Sequence, residues 1–346
     1  MFEFKSPILV TGSAGFIGSA VVDSLLLNSN LVIGIDNLNS YYDKSLKVKR
    51  LEKSFKINRK NSRDFYFYED SIDDHKKLEE IFAVHQPKIV INLAAQAGVR
   101  YSLKDPFSYV KSNLIGFSSI LECCKKFDVS NLIYASSSSV YGANKLIPFS
   151  EKNIVNHPVS FYAATKISNE LMAHSYSHLY GIPSTGLRFF TVYGPWGRPD
   201  MAPMIFAKSI LDGKPIEVFN FGDMMRDFTF IGDVVEGIIR CCQKPATPFE
   251  EFDNLRPTPF SSFAPHRIFN IGYGQSIKLM KFIEILENLL GKKAIKIFKP
   301  MHKADVKETY ADTKLIKEWI DYKPKVSLEE GLVHFAEWYL NYHRNL

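Results

Sequence analysis

The chain has 346 residues, 46% of them hydrophobic and 23% charged, with 19 Gly and 17 Pro. That much apolar chain can bury one large or two ordinary domains, which excludes disorder as the main state. Forty-three Lys and Arg against 37 acids leave a net charge of +6. With no run of five like charges it reads as spread along the chain; it tolerates an anionic ligand but marks neither nucleic acid nor a membrane as partner. No apolar run approaches the ~18 residues of a membrane span. The opening MFEFKSPILVTGSAG shows no signal-peptide pattern and runs into a strand. Cys123 and Cys124 are adjacent, as are Cys241 and Cys242, in helix-like stretches. Such pairs form neither a disulfide framework nor a CxxC metal site, so no metal is expected, and reduced core thiols of a cytoplasmic protein are.

In chain order, Pro7–Val10, Leu31–Ile35, Phe65–Tyr68, Ile89–Leu93 and Leu132–Ala135 read as buried strands. Helical patterns fall between and after them, near 16–28, 75–85, 106–127 and 159–180. This alternation predicts βαβ units and a parallel sheet. The second half is less regular, with helices expected near 202–212, 233–243, 278–290 and 327–343. Five prolines between Pro245 and Pro265 mark a loop. It reads as a surface excursion, with a lid over a ligand as the alternative.

Residues 8–18, ILVTGSAGFIG, combine a strand, a turn with Gly12, Gly15 and Gly18, and a helix start. Glycine permits the tight turn and lets backbone N–H groups approach a pyrophosphate at the helix N-terminus. The spacing, G-x-x-G-x-x-G, is weak alone. Asp36 strengthens it, because it ends the second strand 18 residues beyond Gly18, near the ~20 expected of a carboxylate on an adenosine ribose. Such a carboxylate accepts from both ribose hydroxyls and repels a 2′-phosphate, which favours NAD over NADP. A purely structural glycine turn is the bland alternative.

Tyr-x-x-x-Lys occurs three times, as Tyr141/Lys145, Tyr162/Lys166 and Tyr310/Lys314; chance supplies roughly one or two such helix-neighbour pairs. Gly142 and Pro148 turn the first segment, and Asp312, a candidate N-cap, leaves Tyr310 outside the helix of Lys314. Only Tyr162 opens a long uninterrupted helix with Lys166 one turn on. The fifth strand runs into Ser136–Ser139 upstream, at the sheet end where ligands bind. A free phenol titrates near ~10, so a Tyr base needs help; a neighbouring ammonium favours phenolate, and a serine hydroxyl can share the substrate oxygen. The trio suits removal of an alcohol proton while hydride leaves the same carbon.

With these residues in hand the chain resembles the extended short-chain dehydrogenase/reductases, nearly end to end. Among them it is most similar to the nucleotide-sugar epimerases that act on UDP-glucuronate. TGSAGFIGS, YASSSSVYG and YAATK are general to the superfamily; DNLNSYYD, AAQAGVRYS and GPWGRPDMA point to the glucuronate branch. The resemblance implies a Rossmann-like doubly wound parallel sheet with a smaller, partly interleaved C-terminal substrate domain. Residues 1–188 would bind NAD, segments near 229–271 would return to that unit, and 189–346 would mainly hold the UDP-sugar. It implies that Gly12, Gly15, Phe16, Ile17 and Gly18 form the pyrophosphate turn, with Asp36 and Asn37 at the ribose. Asp70 and Ser71, closing the third strand, would flank adenine, and Leu93, Ala94, Ala95 and Gln96 would line the cofactor channel. Ser137 would be the catalytic hydroxyl beside Tyr162 and Lys166. Thr191 stands where galactose-type epimerases carry Asn, and Arg226 and Asp305 match diphosphate and uridine-ribose contacts. Lys303 and Ala304 depart from the usual Pro-Gly before that Asp. A homodimer through helices near 106–127 and 159–180 is implied too.

All these enzymes begin by oxidising C4 of a nucleotide hexose. Dehydratases carry an Asp-Glu pair after the catalytic hydroxyl, and UDP-glucuronate decarboxylases a Glu at the place of Ser139. Here Ser138 and Ser139 stand instead, and hydroxyls do not perform that proton work at neutral pH. Oxidised glucuronate is a β-keto acid that loses carbon dioxide once its carboxylate is desolvated. Ser138, Ser139 and Thr191 offer donors to keep that group hydrogen-bonded, and Arg198 is a candidate ion-pair partner. The expected activity is C4 epimerisation of UDP-glucuronate to UDP-galacturonate through a transient 4-keto sugar. The alternatives are a UDP-galactose or N-acetylhexosamine 4-epimerase, a decarboxylase, and a non-catalytic dinucleotide-binding protein.

Overall fold

The computed structural model describes residues 4–28, 30–61, 64–302 and 305–344. The chain opens with β1 (Ile8–Thr11), α1 (Phe16–Leu27), β2 (Val32–Ile35), α2 (Lys44–Asn61), β3 (Phe65–Tyr68), α3 (His75–His85) and β4 (Ile89–Asn92). Next, α4 (Pro106–Tyr109) passes through a π-helical stretch, Val110–Ile115, into α5 (Gly116–Lys126). β5 (Asn131–Ser137), α6 (Phe161–Tyr180), β6 (Ser184–Phe189) and β7 (Thr191–Tyr193) follow. The second half holds α7 (Ala202–Leu211), β8 (Pro215–Val218), β9 (Met225–Arg226), β10 (Phe228–Phe230), α8 (Ile231–Gln243) and β11 (His266–Ile271). It ends with β12 (Ile277–Lys278), α9 (Leu279–Leu290), β13 (Ile295–Phe298), α10 (Lys314–Ile320) and α11 (Leu328–His343).

Seven strands form one sheet in the order β11-β6-β5-β4-β1-β2-β3, parallel throughout. Alternation along each strand divides the core. Ile8, Val10, Val32 and Ile91 pack with Val22 and Leu25 of α1 and Val234 and Ile238 of α8. Leu9, Ile33, Val90 and Leu132 face the other way, onto Phe82 of α3, Phe117 and Leu121 of α5 and Ala173 of α6. A sheet covered on both faces explains the unbroken apolar strand runs. A third cluster, with Phe206, Ile216, Phe282, Leu286 and Phe335, packs α7, β8, α9 and α11 together.

The first five predicted strands and the predicted helices are present within a few residues, with the 106–127 helix divided by its π-helical stretch. The expectation of evenly spread charge is corrected by α2, which no apolar period announced: it carries eight Lys or Arg against one Glu. β6 was also not anticipated. Its sequence, STGLRF, looks polar yet is wholly buried, because Arg188 forms a bidentate pair with Glu170 at 2.8 Å on both arms. The Pro-rich 245–265 stretch contributes no residue to the large cleft described below and packs as a surface loop around Phe249, Phe260 and Phe263. Among the described residues no helix is long and apolar enough to cross a membrane.

The segment after β5 is lashed to β11 by buried polar groups. Tyr141 donates to Asn270 Oδ1 (2.6 Å), Asn270 Nδ2 to Phe149 O (2.8 Å), and the Asn270 N–H to Glu151 Oε1 (2.7 Å). Burial pushes the Glu151 carboxyl from 4.5 up to about 7. Folded protein therefore holds this proton more tightly than unfolded chain, so the group's contribution to stability falls as pH rises from about 4.5 to 7. The loss is of order 3 kcal/mol at about 1.4 per pKa unit. E151Q is expected to flatten that part of the curve of Tm against pH; an equally steep fall in the variant contradicts the assignment.

Candidate active site

β1 delivers the chain to a turn at the carboxyl end of the sheet. Gly12 sits there at φ +68°, with the Ala94 backbone so close that an added Cβ would lie 2.8 Å from its nitrogen. At Gly18 an added Cβ would fall 2.0 Å from Gly12 O, so α1 can enter this near only on glycine. α1 begins with no side-chain cap and no acid in its first turn, leaving its N-terminal N–H groups and dipole for an anion. Asp36 Oδ2 accepts the Ala14 N–H at 3.1 Å, and Oδ1 accepts from Leu38 N (2.9 Å) and Lys47 Nζ (3.3 Å). The acid is thus part of the turn's scaffold and is paired with a buried Lys. Its repulsion of a 2′-phosphate is weaker than the bare carboxylate expected from sequence.

Asn37 reaches Ser71 Oγ at 3.3 Å. Asp70 and Ser71 lie two and three residues past the end of β3 rather than closing it. Beyond β4, Thr11 Oγ1 accepts the Ala94 N–H (3.1 Å) and donates to Asn92 (2.7 Å), which sets Leu93–Ala95 over the turn. Asn113 from the π-helical stretch holds both backbone groups of Gln96, at 2.8 and 3.1 Å.

β5 ends at Ser137, whose hydroxyl accepts the Ser139 N–H at 3.1 Å. Ser160 caps α6 through the Ala163 N–H, and Tyr162 and Lys166 follow on one face. Tyr141 is instead buried against Asn270, and Asp312 Oδ1 accepts the Lys314 N–H at 3.0 Å from one residue before the N-cap, which is Thr313 rather than the expected Asp312, so neither rival Tyr–Lys pair forms such a site. Burial pushes the Tyr162 phenol up; hydrogen bonding with Ser137 and the charge of Arg198 pull it back. Arg198 is thus a second cation near this phenol, beside the expected Lys166. Lys166 Nζ donates to Ala135 O at 2.8 Å and stands 6.0 Å from the Tyr162 ring centroid. Burial lowers this amine to about 8 against the opposing pull of Glu170.

Ser138, Ser139 and Thr191 line the wall beyond Ser137. Arg198 is not a free cation. Its Nε and Nη2 grip Asp200 (Nε–Oδ1 3.0 Å), and Asp200 Oδ2 also accepts from Tyr41 at 3.0 Å. Neighbouring carboxylate charge holds the guanidinium protonated despite burial, and no hydrogen bond occupies Nη1 among the described residues. At the far end Arg226 is tied to Met225 O and Lys307 O, while Asp305 pairs with Arg100 at 2.8 Å. Lys303 and Ala304 lie outside the described residues. Every residue assigned to the site from sequence lines one cleft of about 920 Å³. Lys47, Tyr41, Arg100 and Asp200 join them unforeseen. Tyr41, Arg100 and Asp200 lie inside quoted motifs, but only folding shows their partners.

The donor set fits NAD: an open helix N-terminus for the pyrophosphate, a carboxylate at the ribose position, and Tyr162 and Lys166 farther along the same cleft. Among the described residues no cluster of three His, Cys, Asp or Glu could hold a metal. Fold and site together define a Rossmann-type short-chain dehydrogenase/reductase of the extended kind. Residues 8–272 match the model of the NAD dependent epimerase/dehydratase family, to which this chain belongs. A probable UDP-glucuronate 4-epimerase of Rhizobium meliloti is 44% identical over 338 residues, 97% of this chain and 98% of its own. The UDP-glucuronic acid 4-epimerase of Bacillus cereus, solved with UDP-glucuronic acid and NAD, superposes with TM-score 0.84 at 34% identity, covering 97% and 99%. A UDP-glucose 4-epimerase of Thermotoga maritima, solved with UDP-glucose, gives 0.82 at 34%, again covering 97% and 99%.

The lowered amine sets a pH expectation. Lys166 is charged below about 8 and loses its proton as pH rises through that value. Where turnover uses the charge, kcat/KM falls above about pH 8. In K166R the guanidinium stays charged, so the alkaline limb moves upward. Identical pH profiles for the two proteins would exclude Lys166 as the group behind that limb.

Proposed function

We propose that this protein interconverts UDP-glucuronate and UDP-galacturonate at C4, with NAD retained through the cycle. The observation that carries the reading is the composition of the cleft wall beyond Ser137. Ser138, Ser139 and Thr191 supply hydroxyls, Arg198 lines the same cleft with its Nη1 outside the Asp200 pair, and no acid follows the catalytic serine.

In this reading Tyr162 takes the C4 hydroxyl proton while Ser137 bonds the same oxygen and shares it. NAD, when bound, accepts the C4 hydride and returns it. Lys166, anchored on Ala135 O, keeps a positive charge near the phenol as the proton arrives. The sugar turns about its diphosphate link between the two half-reactions, and Tyr162 gives the proton back on the opposite face. Throughout, the hydroxyls and Arg198 keep the sugar carboxylate charged and hydrogen-bonded, which opposes loss of carbon dioxide from the β-keto acid. Arg226 and Asp305 bind the nucleotide end. The division into a cofactor unit of residues 1–188, rejoined by segments near 229–271, and a substrate unit of 189–346 belongs to the same proposal.

The protein works in the cytoplasm as a homodimer and supplies polysaccharide synthesis. Support for the dimer comes from exposed Phe107, Ile115, Phe161 and Leu171 on the 106–127 and 159–180 helices.

Purified protein incubated with UDP-glucuronate and no added NAD is expected to yield UDP-galacturonate by NMR. UDP-xylose would mean a decarboxylase, and conversion of UDP-glucose alone a neutral-sugar epimerase. Y162F is expected to fold and bind the UDP-sugar but lose kcat by about 10²–10⁴-fold; near-normal turnover contradicts the base assignment. S139E adds an acid where decarboxylases carry one and is expected to raise carbon dioxide release. Release at background in S139E would refute the part given to that position.

A further inference from the structure

Arg50 of α2 is 1% exposed and pairs with no carboxylate among the described residues. All five of its N–H groups are nevertheless used. Nε and Nη2 both donate to Trp196 O, at 3.1 and 2.6 Å, and Nη2 also reaches Gly197 O at 3.2 Å. Nη1 donates to Ala14 O at 3.1 Å and to the Tyr42 hydroxyl at 2.7 Å. One guanidinium therefore grips two segments of the cleft. Ala14 is in the phosphate turn, where Asp36 holds its N–H from the other side. Trp196 and Gly197 immediately precede Arg198.

The grip falls where the backbone most needs it. Trp196 sits at φ +65°, in the left-handed region that an aromatic side chain rarely adopts. Such a conformation persists only where its surroundings over-determine it. Two of the five bonds end on that residue's carbonyl, and its indole packs on Trp338 of α11 at 5.3 Å.

We propose that Arg50 is a positioning residue for substrate recognition: it pins the Trp196–Gly197 turn to the dinucleotide turn and so sets where Arg198 meets the sugar carboxylate. The proposal rests on the functional reading above, since it assigns Arg198 to that carboxylate. A Lys ammonium has three donors and no planar fork, so it cannot reproduce the five bonds that tie the two segments together. Loss of the fork loosens the contact with the sugar and leaves the nucleotide end, held by Arg226 and Asp305, as it was.

The test is calorimetry on NAD-loaded wild type, R50K and Y42F, titrated with UDP-glucuronate and separately with UDP. In R50K the Kd for UDP-glucuronate is expected to rise about tenfold while that for UDP stays within about twofold. Y42F removes one bond and keeps the cation; it is expected to move the same ratio by about two- to threefold, and it decides the matter if R50K does not fold. A merely structural role would weaken both ligands in proportion. That result, or a ratio unchanged in the folded variants, overturns the proposal. Turnover of the wild type is measured alongside. If it binds UDP-glucuronate but forms no UDP-galacturonate, the functional reading fails while the binding ratio still judges Arg50.

Discussion

The buried pair of Glu170 and Arg188 is the constraint on which the site depends. Tyr162, Lys166 and Glu170 succeed one another at four-residue spacing, so they share a face of α6. Glu170 locks onto Arg188 of β6 through both oxygens and takes the Ser136 hydroxyl of β5 at 2.6 Å. That fixes the rotation of α6 about its axis and its distance from two strands. With Glu170 pinned, Lys166 falls on Ala135 O and Tyr162 on Ser137, one and two turns toward the helix N-terminus. A buried ion pair contributes little net stability against apolar residues of the same shape, but breaking one partner leaves an uncompensated charge, so the register is enforced.

The rest of the cleft is organised by backbone polarity at one edge of a parallel sheet. The α1 N-terminus presents uncapped N–H groups there, while Asp36, Thr11, Asn113 and Ser137 hold the backbone N–H groups around it. Charge is handled in opposed pairs. Asp36 faces Lys47, Arg198 faces Asp200, and Asp305 faces Arg100. All three pairs line the cleft, which suits a ligand carrying a diphosphate at its centre and a carboxylate at one end.

The elements legible from sequence are those with a dominant apolar run or period. β1 to β5 and helices such as α8 and α11 announce themselves because period and hydrophobicity agree. β6 and α2 fail that test for opposite reasons. β6 buries Thr185 and Arg188 and is stabilised by partners far away in sequence, so a local window reads it as polar. α2 buries Lys47 and Arg50 on its inner side, and its cationic outer side hides the few apolar residues, Leu46 and Leu51, that pack inward.

Glycine spacing, an acid at the second strand end, and a Tyr and Lys one helical turn apart are local facts, written in residue order and subject to local sterics. From these the chain alone determined a dinucleotide turn, the choice among three Tyr–Lys pairs, and the want of an acid after Ser137. Partnership was decided only in three dimensions. That Lys166 bonds a carbonyl, that Arg198 is already half engaged by Asp200, and that a helix of lysines and arginines sends one cation inward to join two loops all require contacts between segments up to about 200 residues apart, as Arg100 and Asp305 are. Sequence periodicity carries information over one or two turns, and electrostatic pairing in a low-dielectric interior has no such range limit along the chain.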